Sequence, residues 1–147
     1  MLGPSPIPGK VGIDPDAAAD SALLVRKVAL GVMGGEQYAD ALVDTGSTYC
    51  VVPRRMARLL GFNEGNRLGT RRVSVVGGYR VMDRHLVERV RVGTARVHRV
   101  PILVDQMGAG FSPVILLGLA FLQKFNVTID FDRNEILFRA RQATKAR

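Results

Sequence analysis

Apolar and polar residues alternate along most of the chain, the period of a strand with one buried face. Leu24, Val28, Leu30 and Val32 fall at even spacing and predict a strand over Leu23–Val32. Gly34-Gly35 then reads as a hairpin turn, with Tyr38–Val43 as the returning strand. After Val51-Val52, Pro53 opens a short helix, where its missing N–H costs nothing. Met56, Leu59 and Leu60 give that helix an apolar face, and Gly61 closes it. Val73–Val76 and Tyr79–Met82 flank a tight turn at Gly77-Gly78, and His85–Val92 and Arg96–Val104 are strands joined at Gly93-Thr94. Met107–Pro113 reads as a loop. Val114–Leu117 is wholly apolar, which predicts a strand buried on both faces, ended by Gly118. Leu119–Phe125 reads as a short helix with Leu119, Leu122 and Phe125 on one side. Val127, Ile129 and Phe131 alternate, Asp132-Arg133-Asn134 turns, and Ile136 and Phe138 alternate back. The pattern is that of an all-β fold with two short helices.

Length and composition bound this picture. At 147 residues the chain is one domain, long enough to bury about two thirds of its extended surface. Apolar residues make up 47% and charged residues 23%, which excludes a disordered chain. Residues 1–20 read as a flexible segment rich in Pro, Gly and Ala, residues 21–140 as the folded domain, and residues 141–147 as a basic tail. The longest apolar run, Val114–Leu122, is too short to span a bilayer as a helix. Cys50 is the lone cysteine, so no internal disulfide forms and a reducing, cytoplasmic setting is expected. Cys50 itself reads as a small buried residue rather than a redox switch. No Cys/His cluster points to a metal, and His85 and His98 read as ordinary strand residues.

The net charge is +8, which raises the question of an acidic partner. Between Arg54 and Arg99 there are twelve Arg and only three acids. Most of these Arg alternate with Val or Leu, as in Val87-Glu88-Arg89-Val90-Arg91-Val92, which favours a solvated sheet face over a functional surface. No aromatic stripe or recognition helix accompanies the charge, so nucleic-acid binding is disfavoured.

The informative stretch is Ala41-Leu42-Val43-Asp44-Thr45-Gly46-Ser47. An acid ends an apolar strand, and a buried carboxylate is costly unless hydrogen-bonded or protonated. Gly46 lets backbone N–H groups approach that carboxylate, and Thr45 and Ser47 carry hydroxyls. Three residues of Asp-Thr-Gly alone equally describe a strand-end turn.

The wider order of motifs resembles the retropepsin-like aspartic proteases, the single-lobe relatives of retroviral proteases. The resemblance runs from Leu23 to Phe138. Leu42–Ser47 is similar to the family's catalytic signature. Val73–Met82, with Gly77-Gly78 at its tip, is similar to the flap hairpin. Ile115-Leu116-Leu117-Gly118, about 70 residues after the signature, is similar to the family's later apolar-Gly element, with its short helix and terminal hairpin following.

The resemblance implies a closed barrel-like lobe that assembles as a C2 homodimer. It implies Asp44 as the catalytic acid, with Thr45, Gly46 and Ser47 in support. Ser47 would hydrogen-bond the outer carboxylate oxygen, and Thr45 would reach across the dimer. Val76, Gly77, Gly78 and Tyr79 would form the flap over an extended peptide or protein substrate; Tyr79 could line the pocket or pack on the flap's own strand. No cofactor or metal is implied. The other reading is a noncatalytic dimerisation or peptide-binding module on the same fold, since fold alone does not fix activity.

Overall fold

A computed structural model describes residues 9–16, 22–32, 34–105 and 114–142. The expected Met107–Pro113 loop, the Pro-rich first eight residues and most of the basic tail lie outside the described residues. The strands in chain order are β1 (Gly9–Gly12), β2 (Leu24–Val32), β3 (Gly35–Val43), β4 (Cys50–Pro53), β5 (Arg67–Val75), β6 (Gly78–Val92), β7 (Ala95–Asp105), β8 (Val114–Leu117), β9 (Phe125–Asp130) and β10 (Glu135–Ala140). The helices are α1 (Arg54–Ala57) and α2 (Leu119–Leu122), with a 3-10 turn at Glu64–Asn66.

The large sheet runs β2-β3-β8-β4-β7-β6-β5, and β6 also pairs with β2. That second pairing, Ala29↔Arg91 to Gly31↔Arg89, closes six strands into a barrel and leaves β5 outside it. The barrel encloses Val28, Leu30, Val52, Val87, Val90, Ile102 and Ile115, all at most 1% exposed. Val28 and Leu30 are alternate positions of the β2 pattern, but β2 from Val28 to Val32 and β7 from Ile102 to Val104 are buried on both faces.

β6 is the longest strand and joins the expected Tyr79–Met82 and His85–Val92 strands into one. Asp83 and Arg84 continue it, paired with Val104 and Leu103. Its first half pairs with β5 and its second half with β2, so one strand serves both the hairpin and the barrel. β5 has no buried residue, because the hairpin stands away from the barrel. That explains why the charged Arg67–Arg72 stretch carries no core signal.

Three other departures have physical causes. The linker-like lead-in contributes β1, which pairs with β10, Gly9↔Phe138 to Gly12↔Glu135, and Ile13 beyond it is buried. Leu59 is 77% exposed, because α1 ends at Ala57 and the chain turns before Leu60 packs. α2 stops at Leu122, so Phe125 opens β9 rather than closing a helix, and it packs against Phe121 and Phe138.

Several of the arginines are partnered, which leaves the net excess itself on the surface. Arg89 and Arg91 reach Glu36 at 3.3 and 3.4 Å, Arg26 reaches Asp14 at 2.7 Å, and Arg80 reaches Asp105 at 2.9 Å. Among the described residues no helix is long and apolar enough to cross a membrane.

Candidate active site

β8 lies between β3 and β4. It runs parallel to β3, from Asp40↔Val114 to Val43↔Leu117, and meets β4 at Val51↔Leu116. Ile115 and Leu117 are each 1% exposed, whereas Leu116 is half-buried. Because β8 fills the space between the two strands, the chain from β3 to β4 must pass around its end. That passage is the Asp44–Tyr49 loop.

The loop is fixed from both sides. The Asp44 amide donates to the Leu117 carbonyl at 3.1 Å, continuing the β3–β8 ladder by one residue. The Gly46 amide donates to Asp44 Oδ1 at 2.9 Å, and the Ser47 amide donates to the Asp44 carbonyl. Asp44 is therefore half-buried with one carboxylate oxygen held by backbone, while Thr45 and Gly46 are exposed. From α2, the Leu119 amide donates to the Ser47 carbonyl at 2.8 Å and the Ala120 amide to the Thr48 carbonyl at 3.0 Å.

Ser47 departs from its expected contact. Its hydroxyl donates to the Tyr49 carbonyl at 2.7 Å and not to the Asp44 carboxylate. The tight turn points Oγ along the loop, so it braces the loop's own backbone.

Gly118 has a steric role that the sequence motif alone does not reveal. Its φ of −97° and ψ of −168° suit any residue. A Cβ there would lie 2.2 Å from the Tyr49 carbonyl oxygen and 2.6 Å from the Ser47 carbonyl oxygen. Only hydrogen fits between the end of β8 and the loop bearing Asp44. Cys50, 1% exposed, sits behind the same junction, with the Gly118 and Phe121 amides directed at its sulfur. Burial pushes its thiol up to about 11, so it stays protonated and inert.

The β5–β6 hairpin closes at Val75↔Gly78, with Val76 and Gly77 in the turn. Gly77 at φ +89° and Gly78 at φ +150° occupy left-handed backbone, which is why glycine serves there. Val76 is fully exposed at the tip. Tyr79 is 63% exposed, and the Arg72 guanidinium lies 4.0 Å from its ring centre, so the ring packs on its own hairpin. Arg71, also on β5, lies over the Tyr49 ring at 5.3 Å and links the hairpin to the Asp44 loop. That contact had no signal in the sequence, because a charged strand and a loop tyrosine share no local pattern.

His85 is the one buried polar side chain among the described residues, 6% exposed, and it stands at the base of the same hairpin. It stacks on Phe62 and its Nδ1 lies 2.7 Å from Asn66 Oδ1. That oxygen also accepts the Asn63 amide, while Asn66 Nδ2 donates to the Gly61 carbonyl, so His85 Nδ1 carries the proton. Burial lowers the His85 pKa, more than the nearby Asp83 raises it. Among the described residues no three His, Cys, Asp or Glu converge as metal ligands would.

A closed six-stranded barrel, with a central strand flanked by an Asp-Thr-Gly loop and an apolar-Gly end, defines a retropepsin-like lobe. The family profile described as gag-polyprotein putative aspartyl protease matches residues 30–124, and the chain belongs to that family. Among solved structures, a retropepsin-like aspartic protease from Rickettsia conorii superposes with a TM-score of 0.63 at 18% identity, over 95% of this chain and 98% of that one. No curated protein matches the sequence significantly.

Proposed function

We propose that the chain is an aspartic endopeptidase that works as a C2 homodimer, with Asp44 and its symmetry mate as one catalytic dyad. The observation that carries this reading is the setting of Asp44. It sits half-buried at a strand end, with one oxygen held by the Gly46 amide, in a loop clamped by Leu117, Leu119 and Ala120.

Amide hydrolysis by water needs a base to deprotonate the water and an acid to protonate the amide. One carboxylate cannot do both at once. Two carboxyls a few ångströms apart share a single proton, so one serves as base and the other as acid. A C2 axis beside the Asp44 loop supplies the second carboxyl from an identical chain. Water adds to the scissile carbonyl, giving a noncovalent tetrahedral diol. Collapse of the diol breaks the C–N bond as the dyad's proton passes to the leaving nitrogen. The scheme calls for no metal or organic cofactor.

The supporting residues follow. Thr45, exposed at the loop tip, is available to hydrogen-bond across the axis. Gly46 orients the carboxylate, and Ser47 stiffens the loop through Tyr49. The β5–β6 hairpin serves as the flap, closing over an extended substrate that adds as a β-strand and excluding water. Its exposed apolar residues, Val76, Tyr79 and Val81, support that use. The single buried Cys50, which needs no disulfide partner, is consistent with a cytoplasmic setting.

The test is cleavage of a peptide library at mildly acidic pH by wild type and Asp44→Asn. Loss of cleavage in the variant, with an unchanged melting temperature, insensitivity to chelators and inhibition by a statine-type mimic, is the expected result. Equal cleavage by both proteins would refute it. Peptide binding by both without cleavage would instead establish the noncatalytic peptide-binding module.

A further inference from the structure

We infer that the cleft between α1 and the base of the β5–β6 hairpin is an exosite for an acidic segment of the protein substrate; this rests on the protease reading above. The cleft is open and has a volume of about 960 Å³. That is at the upper end of the roughly 300–1,000 Å³ range of ligand sites, room for several residues of peptide rather than a single ion.

Its charge is the first argument. Arg54, Arg55 and Arg58 line one wall and Arg67 the other. The acids lining it are Glu64 and Asp83, so four guanidinium groups meet two carboxylates. Arg67 is already paired with Asp83 at 3.3 Å. Arg54, Arg55 and Arg58 make no ion pair among the described residues, whereas Arg26, Arg80, Arg89 and Arg91 each have a carboxylate within 3.5 Å. Arg54 opens α1 and Arg58 caps its end in helical backbone, one turn apart and so on one side. Three guanidinium groups without an ion pair thus lie together beside the cleft.

The floor is the second argument. Ala57, Phe62 and Val104 are buried and apolar, and suit the aliphatic stems of Glu side chains or an interspersed apolar residue. A single-stranded nucleic acid would call for an open aromatic face for base stacking. The Phe62 ring is already stacked on His85, with centroids 5.4 Å apart and planes 14° from parallel. The chemistry therefore fits an acidic peptide better than a single-stranded nucleic acid, and a duplex is tested by competition.

Position supplies the third argument. β4 leads directly from the Asp44 loop to α1. Its four residues span about 13 Å at the usual rise of a strand. An extended substrate seated at Asp44 reaches the cleft roughly four to six residues from the scissile bond, at about 3.3 Å per residue. The cleft's other wall is the root of the hairpin assigned as the flap, so a segment held there lies along the path of the same substrate.

Three synthetic peptides with one common cleavable core test this. One carries an extension of four Glu, one of four Gln and one of four Lys. They are assayed with wild type and with the charge-reversed variant Arg54→Glu/Arg55→Glu/Arg58→Glu, at 50 and 300 mM salt. Wild type should show a KM about tenfold lower for the Glu peptide than for the Gln peptide, the size that a few exposed charge pairs supply. The preference should shrink at high salt. The variant should reverse it in favour of the Lys peptide, a gain that a misfolded protein cannot show. Equal KM for the Glu and Gln peptides with wild type would overturn the exosite, as would an undiminished Glu preference in the variant.

Fluorescence anisotropy of the labelled Glu extension alone separates the two readings. Salt-sensitive binding by wild type that the variant loses supports the exosite even where no peptide is cleaved. Absence of binding overturns the exosite while leaving the protease reading intact. A DNA duplex that displaces the Glu peptide at lower concentration than unlabelled peptide would overturn the peptide assignment.

Discussion

Replacing Gly118 with Ala should damage both the fold and the Asp44 loop through one atom. The backbone angles of Gly118 are ordinary for alanine, so conformational strain plays no part. The added Cβ would stand 2.2 Å from the Tyr49 oxygen, 2.6 Å from the Ser47 oxygen and 2.8 Å from the Tyr49 carbonyl carbon. All three are backbone atoms, and no side-chain rotation relieves them. Ordinary contact lies above about 3.4 Å, so the loop or α2 must retreat by roughly 1 Å. That retreat stretches the bonds from the Leu119 and Ala120 amides and disturbs the Tyr49 carbonyl that accepts from Ser47. Overpacking costs about 1–3 kcal/mol, and the three bonds, weakened rather than lost, together forfeit about 1 kcal/mol more, giving about 2–4 kcal/mol in all. For a chain of this size that is a fall of roughly 5–15 °C in melting temperature. The assay is thermal and urea unfolding at one protein concentration, with Gly12→Ala as control, since a Cβ at Gly12 meets nothing within 4 Å. Gly118→Ala within 0.5 kcal/mol of wild type, by the ~±0.5 kcal/mol yardstick for neutral surface changes, would refute the reasoning.

Other outcomes follow from single side chains. Because the folded state lowers the His85 pKa, the unfolded chain binds the extra proton first as pH falls. The stability from neutral His85 is complete above its ordinary value of 6.5 and is lost as pH falls below it toward the depressed folded value. Melting temperature measured from pH 5 to 7 should rise with pH, and His85→Gln should flatten that slope; an identical slope in the variant would contradict it. Cys50, with its thiol near 11 against an ordinary 9.0, should react with iodoacetamide at pH 8 at least about a hundredfold more slowly than in urea, and equal rates would contradict its burial. Arg71→Leu removes the contact over Tyr49, worth about 0.5–1 kcal/mol at an exposed site. It should raise amide exchange along β5 while leaving β9 and β10 unchanged, and unchanged exchange along β5 would contradict it.

How far the structure could be read from residues depended on whether the controlling contacts were local. The hairpin turns at Gly34, Gly77 and Gly93 were legible, because left-handed backbone selects glycine on the spot. So were the alternate core positions Ile136 and Phe138 of β10, whereas β2 is buried continuously from Val28 to Val32 and Val25, not Leu24, packs before its bulge. β1 was not legible, since Gly9–Gly12 has little apolar pattern and its partner, β10, lies more than a hundred residues away. The Arg67–Arg72 strand was obscured for the opposite reason: a hairpin that stands clear of the barrel buries neither face. At the site, the approach of a backbone amide to the Asp44 carboxylate beside Gly46 could be expected from local chemistry, and the Gly46 amide does hold it. The Ser47 contact could not, because a hydroxyl two residues from a carbonyl and three from a carboxylate has either partner in reach. Gly118 was visible as part of a motif, but the reason for it belongs to a loop about seventy residues earlier.

The central claim is that one chain carries half of an active site. Mixing tests it directly. Wild type and Asp44→Asn are unfolded together in equal amounts, refolded at fixed total concentration, and assayed on one peptide. If both carboxyls are required, only dimers of two wild-type chains cleave, and random pairing leaves about a quarter of the wild-type activity. If each chain acts alone, half of the activity remains, and that result would contradict the shared dyad.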